Sequence, residues 1–210
     1  MRSERDWLEI LVGCGVKAAT AAAWAEHFAA EVRVDAFSAG EDEIDDFLGQ
    51  ILHESGHLEH LEEGLSYSAE RLMQVWPSRF PTVADARPYA RSPEALANKV
   101  YGGRLGNVSA GDGWKYRGSG PIQITGKDNF AALERATGLP LIDNPERLRQ
   151  PGPEGLRVCI AWWEGHVPDS VMGNVNKVTK AVNGGQVGLA DRENITGQAQ
   201  DALQDHPDET

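Results

Sequence analysis

The sequence predicts a mainly α-helical protein with one glycine-rich insertion. Apolar residues recur at helical spacing on both sides of the insertion, eight glycines crowd residues 102–126, and no internal repeat is visible. The 210 residues suit one compact domain, and 40% hydrophobic against 25% charged residues is enough to bury a core. We therefore expect a single domain over residues 1–210 with two helical lobes, small strands in the insertion and a substrate cleft.

The helices follow from local patterns in chain order. The first covers residues 16–34, where Trp24 and Phe28 lie one turn apart. The second begins at a capping box of Ser38 and Glu41, continues as an apolar stripe and ends near residue 55. Further helices are predicted over residues 65–75, 92–100, 129–137, 153–163 and 170–182, and a last one ends near residue 203, before an acidic frayed tail at 204–210.

Charge and cysteine content narrow the class of protein. Twenty basic against 32 acidic residues give a net charge of -12, which repels nucleic acid and anionic lipid and removes long-range attraction to any anionic polymer. The weakly polar stretch 10–24 is too short to span a bilayer, and the charged start argues against a signal peptide or lipidation at Cys14. Cys14 and Cys159 lack metal-ligand spacing. We expect a chain made in the cytoplasm, without membrane insertion.

A dense cluster of titratable residues lies at 53–63 and supports two enzymatic interpretations. In the first, His53, Glu54 and His57 fit the H-E-x-x-H pattern of zinc peptidases, in which two histidines one helical turn apart bind metal. Gly56 inside that turn weakens this interpretation, and no third ligand stands at a suitable downstream position.

In the second interpretation, two carboxylates cleave a glycosidic bond, one as acid and one facing water or the anomeric carbon. Glu54 suits the acid, because the edge of an apolar helix face and the negative end of the helix dipole both favour a protonated carboxyl. Glu63, on the following loop, is the candidate partner. A solvated run of charges formed by Glu59, Glu62 and Glu63 is the alternative.

Three ordered segments resemble glycoside hydrolase family 19, and more narrowly its phage endolysin branch. They are residues 50–56 with 61–72, the glycine-rich residues 111–126, and residues 178–192 with their Asn-Gly-Gly turn. Together they extend over about residues 38–192. The resemblance implies a lysozyme-like helical fold that hydrolyses β-1,4 bonds of chitin or peptidoglycan with inversion, without metal or cofactor.

The resemblance also implies roles for individual residues. Glu54 maps onto the general acid, Glu63 onto the second catalytic carboxylate, and Thr125 onto a hydroxyl residue that helps hold the attacking water. Plant chitinases of the family have a longer loop between the two glutamates, so the short connection favours the bacterial cell wall over chitin.

Five further residues are candidate substrate contacts. Gln123, Asn129 and Asn183 match sugar-binding positions, and an amide both donates and accepts hydrogen bonds. Capping or turn roles are the alternative for all three. Tyr67 and Tyr116 could stack on sugar faces, with burial in the core as the alternative.

Two departures from the family pattern stand out. Ser119 stands where the family usually has an arginine, which removes a cation that could contact the stem peptides. His57 stands where the family usually has a glycine, and it creates the zinc-like pattern. The predicted function is that of a monomeric peptidoglycan-degrading endolysin, released to the periplasm by a holin. A chitinase of the same family, a zinc peptidase and a catalytically inactive wall-binding protein remain as alternatives.

Overall fold

The structure, a computed structural model, describes residues 1–208 and confirms the mainly helical class. Short 3-10 turns separate several of the helices, and no helix in the described range is long and apolar enough to cross a membrane. The α-helices are α1 (Glu4–Gly13), α2 (Ala18–Glu31), α3 (Ile44–Glu54), α4 (Ala69–Val75), α5 (Val83–Ala86), α6 (Pro93–Tyr101), α7 (Asp112–Lys115), α8 (Lys127–Thr137), α9 (Pro153–His166), α10 (Val175–Asn183) and α11 (Leu189–Asp205).

The chain divides into two compact units, which are described separately. Unit 1 contains residues 1–61, 120–122 and the chain from 146 onward, and therefore α1 to α3 and α9 to α11. Unit 2 contains residues 62–119 and 123–145, and therefore α4 to α8.

Unit 1 is built on a large aromatic and aliphatic core. The Trp7 and Phe28 rings lie 5.1 Å apart and join α1 to α2, while Phe47 and Trp163, 5.5 Å apart, join α3 to α9. Helix α1 was absent from the sequence prediction, although its buried residues follow helical spacing. Cys14 is fully buried, and burial raises the pKa of its thiol to about 12. The buried thiol of Cys159 also has a raised pKa.

Close packing of α3 against α11 positions the end of α3. A Cβ atom placed on Gly49 would lie 2.0 Å from Oγ1 of Thr196 and 3.3 Å from the carbonyl oxygen of Arg192. No real Cβ tolerates that approach, so glycine at position 49 allows the two backbones to come together. As a result, the side chain of Arg192 reaches Glu54.

The predicted capping box of Ser38 and Glu41 is wrong. A 3-10 turn at Gly40–Glu43 precedes α3, and the Ser38 hydroxyl donates instead to Asp169, 2.9 Å away. The turn forms because the side chain of buried Glu43 folds back, accepting hydrogen bonds from the backbone N–H of Ala39 and from the indole N–H of Trp163.

Asp46, in the first turn of α3, is also buried. Its Oδ2 atom accepts a hydrogen bond from the N–H of Gly173 at 2.7 Å. Burial, with smaller contributions from Asp45 and Glu43, raises the pKa of Asp46 to about 6.

Unit 2 has a smaller core in which α4, α6 and the chain between them meet. Helix α4 begins at Ala69, after an N-cap from Ser68, and not at residue 65 as predicted; buried Leu65 lies in non-helical chain before it. The predicted helix at 92–100 is confirmed as α6, with Pro93 in its first turn.

The glycine-rich segment does not form the predicted strands. The described residues contain only the isolated bridges Glu62 to Ser119 and Ser119 to Ile124, and the short helix α7 lies within the segment. Positive φ angles at glycines such as Gly111, Gly120 and Gly126 redirect the backbone before a ladder can extend.

Two other predicted boundaries shift. Gly173, at φ +73°, separates a 3-10 turn at Asp169–Val171 from α10, so no continuous helix covers residues 170–182. Helix α11 extends to Asp205, two residues beyond the predicted end. The last part of the predicted frayed tail, 209–210, lies outside the described residues.

Candidate active site

Glu54 is the last residue of α3, and Arg192 is its principal partner. An Nη atom of Arg192, whose side chain is only 2% exposed, donates to the Glu54 carboxylate, which is 30% exposed. The same guanidinium donates to Oε1 of Gln50 at 2.5 Å. The fixed fork of an arginine therefore ties the carboxylate to α3 and α11 at once.

The Asn-Gly-Gly turn after α10 supports this arginine. The carbonyl oxygen of Val187 accepts hydrogen bonds from Nε of Arg192 at 3.2 Å and from Nδ2 of Asn183 at 3.1 Å. Oδ1 of Asn183 accepts from the N–H of Gly185 at 2.8 Å. Both polar groups of the Asn183 amide are thus used within the turn, which is the capping role given above as the alternative to sugar binding.

The histidines near Glu54 do not have the geometry of a zinc peptidase. Helix α3 ends at Glu54, and His57 follows it in the left-handed region at φ +59°, so the two histidines do not share a continuous helical turn. Nδ1 of His53 lies 2.6 Å from the Asp191 carboxylate. Among residues 1–208, no three His, Cys, Asp or Glu side chains are grouped to hold a metal ion.

In unit 2, Glu63 is held by two donors. The Tyr101 hydroxyl donates to Oε1 at 2.5 Å, and the backbone N–H of Gly118 donates to Oε2 at 3.2 Å. The backbone N–H of Glu63 donates in turn to the Gly118 carbonyl at 2.9 Å. Burial and the adjacent Glu63 carboxylate raise the pKa of Tyr101, so its hydroxyl stays protonated and continues to donate.

Gly118 is the point at which Glu63 and Gln123 come together. A Cβ atom on Gly118 would lie 2.7 Å from Oε1 of Gln123 and 2.9 Å from Cβ of Glu63. Gln123 itself has φ +56°, a left-handed conformation that is uncommon outside glycine and is often found at functional sites. The structure therefore brings one predicted substrate contact next to a predicted catalytic carboxylate.

Thr125 and Asn129 form a local pair beside Gln123. The Thr125 hydroxyl donates to the carbonyl oxygen of Gln123 at 2.9 Å, and Nδ2 of Asn129 donates to the carbonyl oxygen of Thr125 at 2.8 Å. Thr125 is half-buried and Asn129 is exposed. Within residues 1–208, the oxygen atom of the Asn129 amide accepts no hydrogen bond from the protein. A role of Thr125 in holding water stays a prediction.

The two candidate stacking residues have different environments. Tyr67 is half-buried, and its ring lies edge-on to Trp76 at 5.5 Å. Tyr116 is only 1% exposed, packs on Phe130 and donates its hydroxyl to the Ile142 carbonyl at 3.1 Å. With no exposed ring face, Tyr116 belongs to the core of unit 2, and the prediction that it stacks on sugar is corrected.

A buried arginine lies close to the position where the family pattern has one. Ser119 is itself buried, but Nε of Arg117 donates to the Glu62 carboxylate at 2.7 Å, and its guanidinium lies 3.6 Å from the centre of the Trp114 ring. This pair fixes the residue immediately before Glu63.

Sequence reasoning missed the two side chains that hold the candidate catalytic glutamates, Arg192 and Tyr101. Arg192 is 138 positions from Glu54, and Tyr101 is 38 positions from Glu63, so no local spacing links the partners. A signal for Arg192 was available, because an arginine on the apolar side of a predicted helix needs a carboxylate partner.

Comparison with known proteins identifies relatives of this chain. No family model matches the chain. A glycosyl hydrolase family 19 domain-containing protein of Haemophilus influenzae is 40% identical over 148 residues, which are 70% of this chain and 72% of that protein. An endochitinase of Arabidopsis thaliana is 30% identical over 74 residues, covering 35% of this chain and 26% of the relative.

The fold matches a solved enzyme over nearly its full length. Chitinase C from Streptomyces griseus superposes with a TM-score of 0.59 at 17% identity, covering 98% of this chain and 95% of that one. Fold and sequence together define a glycoside hydrolase. The chain belongs to glycoside hydrolase family 19.

Proposed function

We propose that this glycoside hydrolase cleaves the β-1,4 bonds of bacterial peptidoglycan, as an endolysin of a phage or prophage. The observation that carries the proposal is the separate and different support of the two glutamates. Glu54 has a guanidinium partner, and Glu63 has one phenol and one backbone donor. Only nine positions separate the two residues, and this short connection favours cell wall over chitin.

In the proposed reaction, Glu54 donates its proton to the oxygen of the leaving sugar as the glycosidic bond breaks, and the Arg192 guanidinium stabilises the carboxylate that remains. Glu63 accepts a proton from a water molecule, and the water oxygen bonds to the anomeric carbon from the opposite face. Thr125 helps hold that water, and Gln123 and Tyr67 contact the sugar. After one inverting turnover, Glu54 is ionised and Glu63 protonated, and exchange with solvent resets both.

The biological setting belongs to the same proposal. A monomer formed as one catalytic domain would be made in the host cytoplasm, reach the periplasm through a holin and act on the wall there. A chitinase is the second candidate, because the enzymes that resemble this chain in fold and in part of its sequence are named as chitinases.

Mass spectrometry of digested sacculi tests the function. We expect wild type to release muropeptides with new reducing ends, with or without chelator, and Glu54→Gln and Glu63→Gln to release none. Glu59→Gln, an exposed carboxylate of the same segment, is the matched control and keeps activity. Activity on chitin oligomers alone would assign a chitinase, whereas cleaved stem peptides that disappear with chelator would assign a peptidase.

A further inference from the structure

The net negative charge of this protein comes from one of its two units. Unit 1 carries 23 acidic and 10 basic residues, whereas unit 2 carries 9 acidic and 10 basic residues. Unit 1 therefore has a net charge of -13 and unit 2 a net charge of +1, which together give the -12 of the chain. An average over the whole chain conceals this difference.

Within unit 2, the positive charge is concentrated in α4 to α6 and the chain that follows. Six basic residues lie between positions 69 and 104, against three acidic residues, Glu70, Asp85 and Glu94. Among residues 1–208, none of the six forms a salt bridge with a carboxylate within 4 Å. The six are Arg71, Arg79, Arg87, Arg91, Lys99 and Arg104.

Four of these residues are linked by contacts or by neighbouring positions in the chain, and we call them the basic surface: Arg79, Arg87, Arg91 and Lys99. An Nη atom of Arg79 lies 3.4 Å from the carbonyl oxygen of Lys99, and the Lys99 ammonium lies 5.8 Å from the centre of the Tyr89 ring. Tyr89 belongs to the same short turn as Arg87, two residues before Arg91.

The carboxylate of Glu70 interacts electrostatically with two members of this group. Hydrogen bonds from its own backbone and from Ser68 lower the pKa of Glu70, and the charges of Arg87 and Arg91 lower it further. Six basic against three acidic residues leave an excess of three positive charges in this stretch.

The basic surface belongs to the elements that hold Glu63. Lys99 and Tyr101 are two positions apart at the end of α6, and the Tyr101 hydroxyl bonds to Glu63. The backbone N–H of Arg91 donates to the carbonyl oxygen of Tyr67 at 2.8 Å. Arg91 therefore lies beside Tyr67, a proposed sugar contact, in the same unit as Glu63.

We propose that the basic surface binds the free carboxylates of the stem peptides that branch from the glycan strand. The inference rests on the proposed function and names the part of the substrate that unit 2 recognises. Three of the four cations are arginines, whose planar forks bind carboxylates through two parallel hydrogen bonds. The expectation of no electrostatic attraction, which was based on net charge, does not hold for this unit.

Binding to purified sacculi tests the proposal. In a Glu54→Gln background, which blocks cleavage, we compare the unaltered surface with the triple variant Arg87→Gln/Arg91→Gln/Lys99→Gln. The control Arg5→Gln/Lys17→Gln/Arg33→Gln removes the same charge from unit 1. Each is sedimented with sacculi free of phosphate polymers, either native or with carboxyl groups amidated.

We expect the triple variant to bind native sacculi about tenfold more weakly at low salt, because exposed pairs contribute modestly and additively. Amidation should weaken the unaltered surface by a similar factor and remove the difference between the two proteins. The unit 1 control should bind native sacculi as the unaltered protein does. The triple variant should keep the circular dichroism spectrum and the Tm of the unaltered protein, which shows that it folds.

Three results would overturn the inference. The triple variant could bind native sacculi as tightly as the unaltered protein. Amidation of the sacculi could leave binding of the unaltered protein unchanged. The unaltered protein could be retained on anionic phospholipid vesicles but not on sacculi. Failure of the proposed function gives a different pattern, since wild type would then cut chitin oligomers and leave sacculi intact. If wild type and the triple variant cut and bind sacculi equally, only the role of the basic surface is rejected.

Discussion

The Tyr101 hydroxyl donates a hydrogen bond to the Glu63 carboxylate, and the phenol is kept protonated by its burial and by that charge. A hydrogen bond to a charged acceptor contributes about 1.5–3 kcal/mol, twice the contribution of a neutral pair. This single contact fixes one oxygen of the carboxylate and leaves the other to Gly118.

Tyr101→Phe should lower kcat about tenfold to a hundredfold with little change in KM, because the Glu63 carboxylate loses a donor while the proposed sugar contacts, Gln123 and Tyr67, are unchanged. Initial rates on soluble peptidoglycan fragments at several substrate concentrations measure both constants. Tyr116→Phe removes another buried hydroxyl of unit 2 and should leave both constants unchanged. An unchanged kcat in Tyr101→Phe would contradict the role of the Tyr101 hydroxyl.

Arg192→Lys should lower kcat about a hundredfold, because a lysine ammonium cannot bond Gln50, Glu54 and the Val187 carbonyl together. Loss of a buried charged network should also lower the free energy of unfolding by about 3 kcal/mol. Rates and urea denaturation measure the two losses. Arg5→Lys, at the exposed pair with Glu9, should change stability by less than about 1 kcal/mol. An unchanged rate in the Arg192 variant would contradict the assigned role.

Gly49→Ala should destabilise the protein by about 2 kcal/mol or more, because the new methyl group meets the Thr196 hydroxyl in the packed contact of α3 and α11. Gly197→Ala is the matched control. It lies in α11 with no atom within 4 Å of the added Cβ, and it should stabilise the helix by up to about 1 kcal/mol. Thermal melts of both variants give the comparison, and equal Tm values would show that the α3 contact can relax.

Asp46→Asn should flatten the dependence of stability on pH. The folded pKa of about 6 lies above the ordinary 3.8, so the folded state binds the proton more tightly. The contribution is fully present below about pH 4 and is lost as the pH rises through 6, a loss of about 3 kcal/mol, of which about half falls between pH 5 and 8. Urea denaturation at pH 5 and 8 measures it. The exposed Asp201→Asn control should keep the wild-type slope, and a wild-type slope in the Asp46 variant would reject the assignment.

The elements that sequence predicted best are those whose patterns are local. Pro93 marked the start of α6, and the apolar periodicity of residues 44–52 identified α3, because first-turn geometry and one-sided burial act within a few residues. The capping box at Ser38 failed because the hydroxyl found a stronger partner in Asp169, more than a hundred positions away.

The same limit applies to the site. Glu54 and Glu63 could be proposed from chemistry and resemblance, yet their partners Arg192 and Tyr101 come from distant elements that only tertiary packing brings close. Tyr116 was misassigned because a tyrosine beside glycines has the same local signature on a binding surface and in a core.

The two fully buried thiols also determine how this protein can be labelled. Cys14 and Cys159 are both inaccessible, and burial holds each thiol in its protonated, unreactive form. A maleimide dye should therefore not label the folded protein and should react only after denaturation. One cysteine introduced at an exposed position such as Val108 gives a unique attachment point, so fluorescence can test whether the enzyme binds a sacculus with both native cysteines in place.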